Sequence, residues 1–215
     1  MSQNSGGPKS IYIVGIGGTT RASSSTEKAL KVALAAASAL GAETRLLGAE
    51  DLILPMYAPE KTERAPAARL FIEEIRKADG IILASPGYHG SISGLVKNAI
   101  DYVEDLAKDA SPYIQGRAVG LIATGAGWQG AVATLIALRS VVHSLRGWPT
   151  PLGVPINTLE PCFDADGNCV SPKLNEQLQI LSREVVDFAL HRGTAAHATA
   201  DRRDGVAQLE RSLGH

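Results

Sequence analysis

The chain has 215 residues, with 21 Lys or Arg against 22 Asp or Glu, a formal charge of −1 that excludes the basic excess of a general nucleic-acid binder. Apolar residues make up 45%, above the disordered range, while Cys162 and Cys169 are too few for a disulfide scaffold or a four-ligand zinc site. No apolar run, Ala131 to Leu138 included, approaches the roughly 18 residues of a membrane span.

The opening Met1-Ser-Gln-Asn-Ser-Gly-Gly-Pro carries no apolar signal segment, so the expected setting is cytoplasmic, without membrane or nucleic-acid partners. Ser10 to Gly15 is a short apolar run, predicted as a buried parallel strand. A hydroxyl-rich loop, Gly17 to Ser25, leads into a helix with Leu30, Ala33, Leu34, Ala37 and Leu40 on one stripe and Gly41 as its stop. Ser24-x-x-Glu27 fits a capping box, and Ser25 is an equally good N-cap.

Glu43 to Leu47 reads as a second strand, followed by a looser stretch from Asp51 to Pro59. Thr62 to Ala78 is predicted helical, with Pro66 tolerable only near the first turn. Gly80 to Ala84 is an apolar strand running into Ser85-Pro86-Gly87, and Ser91 or Ser93 opens the next helix. A fourth strand, Ala118 to Ala123, precedes Thr124-Gly125-Ala126-Gly127 and a helix from Ala131 to Leu145. Leu152 to Ile156 is the fifth strand and Leu174 to Leu190 the last helix. Strands alternating with helices imply right-handed βαβ units and a parallel sheet covered on both faces. One domain over residues 10–192 is expected, with residues 1–9 a tail and residues 193–215 a tail or an oligomer-clasping arm.

Ligands of open α/β sheets bind beyond the carboxyl ends of the strands. Three loops of unusual content leave such ends: Gly17–Ser25, Ser85–Ser93 and Thr124–Gly130. The first offers six hydroxyls (Thr19, Thr20, Ser23, Ser24, Ser25, Thr26) and the guanidinium of Arg21 at a helix N-terminus, which suits a phosphate. A cap alone needs one Ser or Thr. The triphosphate-binding Gly-x-x-x-x-Gly-Lys-[Ser/Thr] loop is absent, and Gly15-x-Gly17-x-x-Thr20 breaks the dinucleotide fingerprint at its third glycine. A terminal phosphate monoester, such as that of FMN, fits better than a bridging pyrophosphate.

The second loop and the helix after it read Ser85-Pro86-Gly87-Tyr88-His89-Gly90-Ser91-Ile92-Ser93-Gly94, then Lys97-Asn98-Ala99-Ile100-Asp101. This string resembles the signature of the NADPH-dependent FMN reductase family. Gly18-Thr19-Thr20-Arg21-Ala22-Ser23-Ser24 is similar to that family's phosphate loop, and Thr124-Gly125-Ala126-Gly127-Trp128 to its glycine-rich third loop. Thr19 stands where relatives carry serine, and Thr26 where many carry asparagine. The resemblance spans about Ile11 to Leu190. It implies a flavodoxin-like, doubly wound α/β fold whose five parallel strands run in the order 2-1-3-4-5, with helices on both faces.

It further implies a flavoenzyme that takes hydride from NADPH or NADH and passes electrons through FMN to a free flavin, quinone, azo compound or metal oxyanion. Thr19, Arg21, Ser24 and Thr26, with neighbouring Ser23 and Ser25, would hold the FMN phosphate. Pro86, Gly87, Tyr88, His89 and Gly90 would line the isoalloxazine ring. Thr124, Gly125, Ala126 and Gly127 would approach its pyrimidine edge. Homodimers or homotetramers are implied as well. Hydride transfer belongs to the cofactors, so no side chain is assigned as a catalytic acid or base.

His89 is read as a packing or hydrogen-bonding residue, Tyr88 as a wall or interface residue, and Trp128 as a stacking, hinge or subunit-contact residue. Lys97 and Asp101, four apart, read as a surface or interface ion pair. Asp164-Ala-Asp166-Gly167-Asn168 is a turn rather than a calcium loop, because glycine falls at loop position four and Asn175 at twelve. No metal site is expected. The rival reading is an electron-carrier flavodoxin, which its weak charge and 5% aromatic content disfavour. A third is a nucleotide-binding regulator that has lost the flavin.

Overall fold

The computed structural model describes the backbone of residues 10–213 and the side chains of residues 10–193. The expectation for residues 1–9 therefore lies outside the described residues. Five parallel strands form the sheet: β1 (Tyr12–Gly17), β2 (Glu43–Leu47), β3 (Gly80–Tyr88), β5 (Ala118–Gly125) and β6 (Trp148–Asn157). A two-residue strand β4 (Ser91–Ile92) folds back antiparallel on the end of β3. The order β2-β1-β3-β5-β6 is the expected 2-1-3-4-5 once β4 is set aside.

The helices are α1 (Ser25–Ala39), α2 (Pro66–Lys77), α3 (Gly94–Asp101), α4 (Trp128–Ser144) and α5 (Pro172–Leu213). Each strand alternates its side chains between two cores. Val14, Ile16, Ile81, Leu83, Val119 and Leu121 face α2, α3 and α4, whose Phe71, Ile75, Val96, Ala99 and Leu138 cover them. Ile13, Ile82, Ala84, Ile122 and Val154 face the other way, under Leu30, Ala33 and Leu34 of α1 and Leu178, Leu181 and Val185 of α5. Both sheet faces are thus covered, as a parallel sheet requires.

Local chemistry sets the helix starts. Ser24 caps α1, its hydroxyl accepting the Glu27 N–H at 3.3 Å, and Ser93 caps α3 through the Val96 N–H at 3.2 Å. The Glu27 carboxylate pairs with Lys31 at 2.6 Å. Pro66 opens α2, four residues after the predicted start. β6 begins at Trp148, ahead of the predicted Leu152, despite Pro149 and Pro151. It is an edge strand, where a missing N–H is tolerated. Its irregular stretch is satisfied by side chains: Arg139 donates to the Thr150 and Pro151 carbonyls, and Glu184 accepts the Leu152 N–H. α5 continues to Leu213, beyond the predicted end at Leu190, into an alanine-rich segment of high helix propensity.

Candidate functional site

The sheet register brings the three singled-out loops to one rim. Gly17 at the end of β1 pairs with Ala84, Pro86 of β3 with Thr124 of β5, and Gly125 with Asn157 of β6. Connections leave β1 and β3 in opposite directions, so this rim includes the switch point of the fold.

On the first loop, Arg21, Ser23 and Thr20 are exposed, while Thr19 and Ser25 are partly so. The Thr19 hydroxyl accepts the Arg21 N–H and donates to the Arg21 carbonyl, both at 3.1 Å, which curls the loop before Ser23 turns through φ 56°. Ser24 and Thr26 are buried. The Ser24 hydroxyl is committed to its cap, and the Thr26 hydroxyl lies 2.7 Å from that of Thr124, itself buried. This hydroxyl pair ties the first turn of α1 to the end of β5. The loop from Gly17 to Ser25 carries no carboxylate, and it meets the positive end of the 15-residue α1.

The second loop is a hairpin, with Gly87 opposite Ile92 and Tyr88 opposite Ser91. Its base is stapled by Ser85, fully buried, which accepts the Ser93 N–H at 3.0 Å and donates to the Pro86 carbonyl at 2.9 Å. Pro86 is buried within β3, whereas Tyr88, His89 and Gly90 are exposed at the tip. Gly87 packs against α4: a Cβ there would stand 2.3 Å from the Thr134 hydroxyl.

The third loop ends β5 at Gly125, exposes Ala126 and starts α4 at Trp128, which is half exposed. No side chain caps the first turn of α4. Instead Asn157 holds the loop from the side, its carboxamide oxygen accepting the Gly127 N–H at 2.9 Å. Thr158 adds two bonds to the Gly125 carbonyl, from its N–H at 2.8 Å and its hydroxyl at 3.1 Å. Asn157 escaped sequence reasoning, and Ser85 stood there only as the first residue of its loop, with no role of its own. The one available signal was a polar residue at the carboxyl end of an apolar strand.

The other motifs resolve structurally. Lys97 and Asp101 pair at 2.6 Å on α3. Asn98 is buried and donates to the Leu54 and Pro55 carbonyls while accepting the Tyr57 N–H, so this part of the signature fastens the segment after β2. Phe163 and Cys169 bridge antiparallel across a turn closed by Asp164 and Asn168, and both cysteines are free thiols. Among the described residues no His, Cys, Asp or Glu cluster could hold a metal ion.

A model of the family described as NADPH-dependent FMN reductase matches residues 11–158. An NAD(P)H-dependent FMN reductase of Pseudomonas aeruginosa is 28% identical over 172 residues, which cover 79% of this chain and 90% of that one. An FMN-dependent NADPH-azoreductase of Staphylococcus haemolyticus is 31% identical over 117 residues, but these span only 57% of its length and 54% of this chain. Among solved structures, the flavoenzyme NAD(P)H:(acceptor) oxidoreductase FerB of Paracoccus denitrificans aligns with a TM-score of 0.70 at 22% identity, covering 84% of this chain and 98% of that one. That likeness establishes the fold.

Proposed function

Since the chain belongs to the NADPH-dependent FMN reductase family, we propose that its three rim loops form the FMN site of an NAD(P)H oxidoreductase. It is an enzyme, with FMN and a reduced nicotinamide nucleotide as cofactors. When bound, FMN supplies the hydride-accepting and electron-transferring chemistry.

The residues present fit that group. Ser23 and Ser25 offer hydroxyls and Arg21 a planar guanidinium to the phosphate, alongside the first-turn N–H groups of α1, while Thr19, whose hydroxyl is spent on the Arg21 backbone, holds the curl of the loop. Ser24 and Thr26, whose hydroxyls are engaged within the protein, shape the loop and contribute through backbone. Gly87, Tyr88, His89 and Gly90 would form a wall for the isoalloxazine ring, with Pro86, buried within β3, shaping it from beneath. Ala126 and Gly127 would border its pyrimidine edge, where the N-terminus of α4 would favour negative charge, with the buried Thr124 and Gly125 setting their backbone. The observation that carries this reading is the meeting of an exposed cation, exposed hydroxyls and a helix N-terminus on a loop without carboxylates.

The electron acceptor belongs to the class of free flavins, quinones, azo compounds or metal oxyanions, taken at the open rim beside Tyr88 and Trp128. A cytoplasmic setting suits the use of reduced nicotinamide nucleotides. Among the described residues no helix is long and apolar enough to cross a membrane. Val132 and Ile136 on α4 are exposed next to Trp128 and offer a contact face for a homo-oligomer. The deciding experiment is steady-state oxidation of NADPH and NADH by the purified protein with FMN and a panel of these acceptors. Sustained turnover is expected. A protein that binds FMN yet turns over nothing is an electron carrier, and one that binds no FMN is neither.

A further inference from the structure

Asn157 ends β6 and is 9% exposed. Its side chain makes three hydrogen bonds. The oxygen accepts the Gly127 N–H at 2.9 Å and the Leu159 N–H at 3.1 Å, and the nitrogen donates to the Glu160 carboxylate at 2.9 Å. Gly127 sits at φ 112°, a left-handed conformation, as the N-cap of α4. Its N–H is shared between Asn157 and the Gly125 carbonyl, at 3.0 Å from the latter. That donor is therefore consumed within the protein. The N–H groups of the following residues, in the uncapped first turn of α4, have no partner inside their own helix and point outward. Where they point depends on the turn at Gly127.

We infer that Asn157 is a positioning residue of the flavin site: its carboxamide clamps Gly127 and thereby aims the first turn of α4 at the flavin's pyrimidine edge. This rests on the FMN-binding reading above. The clamp also has a defined polarity. The oxygen faces backbone donors and the nitrogen faces Glu160, so Glu160 fixes which way the amide is turned. An aspartate at 157 keeps the acceptor for Gly127 but sets one carboxylate against another. Exchanging the two groups, Asn157→Asp with Glu160→Gln, restores a donor facing an acceptor at unchanged net charge.

The test measures FMN affinity by fluorescence quenching and the midpoint potential of the bound flavin, in wild type, Asn157→Ala, Asn157→Asp and the exchanged double variant. Thermal stability is recorded in parallel. Loss of the side-chain acceptor that Gly127 and Leu159 share, which leaves the Gly127 N–H only the Gly125 carbonyl, is expected to weaken FMN binding roughly tenfold in Asn157→Ala. The potential should move to a more negative value, because the reduced, charged flavin loses more than the oxidised one. Asn157→Asp shifts the potential the same way, and the double variant returns both quantities toward wild type. Wild-type affinity and potential in Asn157→Ala overturn the inference, whatever its melting temperature. So does a double variant no better than Asn157→Asp, which also decides the matter should Asn157→Ala not fold. A wild-type protein that fails to bind FMN removes the functional reading instead, so the two failures are told apart.

Discussion

Between Tyr88 and Ser91 the chain reverses through two residues of positive φ, His89 at 49° and Gly90 at 85°. That pairing is the type I′ turn of a two-residue hairpin, which suits the twist of the strands it joins. Among residues with a side chain, Asn, Asp and His tolerate the left-handed region best. A backbone requirement thus accounts for histidine here without any proton transfer. Substitution by Asn should leave stability, FMN affinity and turnover near wild type, whereas His89→Val should cost about 1–3 kcal/mol of stability and loosen the flavin. Thermal melts and steady-state rates check both, and a collapse of turnover in His89→Asn would instead make the imidazole an acid. Arg21 is the cation of the first loop, so Arg21→Ala should weaken FMN roughly 10- to 150-fold, the loss of a charge-assisted bond of about 1.5–3 kcal/mol. Riboflavin, lacking the phosphate, should bind wild type and variant equally, as calorimetry can show. The first loop stood out in the sequence because excess hydroxyls and one cation are visible in composition. Thr26 and Thr124 were legible only as members of their loops, since their mutual hydroxyl contact spans 98 positions that no local pattern links.

The segment between β2 and α2, irregular after a short 3₁₀ turn at Glu50–Leu52, shows how a stretch without strand or α-helix is fixed. Arg64 donates from Nε and Nη2 to the two oxygens of Asp105, each at 2.7 Å, and its guanidinium lies over the rings of Tyr57 and Tyr102. Tyr102 donates to the Pro55 carbonyl, beside the bonds from Asn98. The Arg64 hydrogen bonds hold the Asp105 carboxyl below its usual range. A depressed carboxylate contributes stability that is complete above its unfolded pKa and is lost as pH falls through the lower folded value. Asp105→Asn should therefore cost about 1.5–3 kcal/mol at neutral pH, with the gap to wild type closing below about pH 4. Urea titrations across that range check it, and a gap that persists in acid would remove the ion pair as its cause. Element positions were readable where apolar period and a cap coincide, as in α1. They failed where a tertiary partner decides. β3 runs on through Pro86 because the Ser85 staple and β4 complete its pairing, and β6 tolerates its prolines because it lies at an edge.

Across the whole molecule, the spacing of the three layers is set by what the strands present to α1 and α5. On that face β5 offers Gly120, where a Cβ would stand 2.5 Å from Leu181 Cδ2 and 3.0 Å from Val185 Cγ2. β1 offers Gly15, where a Cβ would stand 2.6 Å from Leu34 Cδ1. The two helices therefore rest close on the centre of the sheet, while the opposite face packs through larger side chains such as Phe71 and Leu138. This asymmetry brings the start of α1, and with it the Gly17–Ser25 loop, down to the rim where Thr26 reaches Thr124. Filling the gap should lift α5 from the sheet. Gly120→Ala is expected to cost about 1–3 kcal/mol through overpacking. The atom it meets ends a side chain rather than a backbone, so trimming Leu181 gives it room. Leu181→Ala alone should cost about 2–5 kcal/mol, and in the Gly120→Ala background distinctly less, a coupling that a double-mutant cycle in urea measures directly. Strict additivity would mean that the sheet and α5 are not in contact through this pair. The layer spacing would then have to be set elsewhere along the helix.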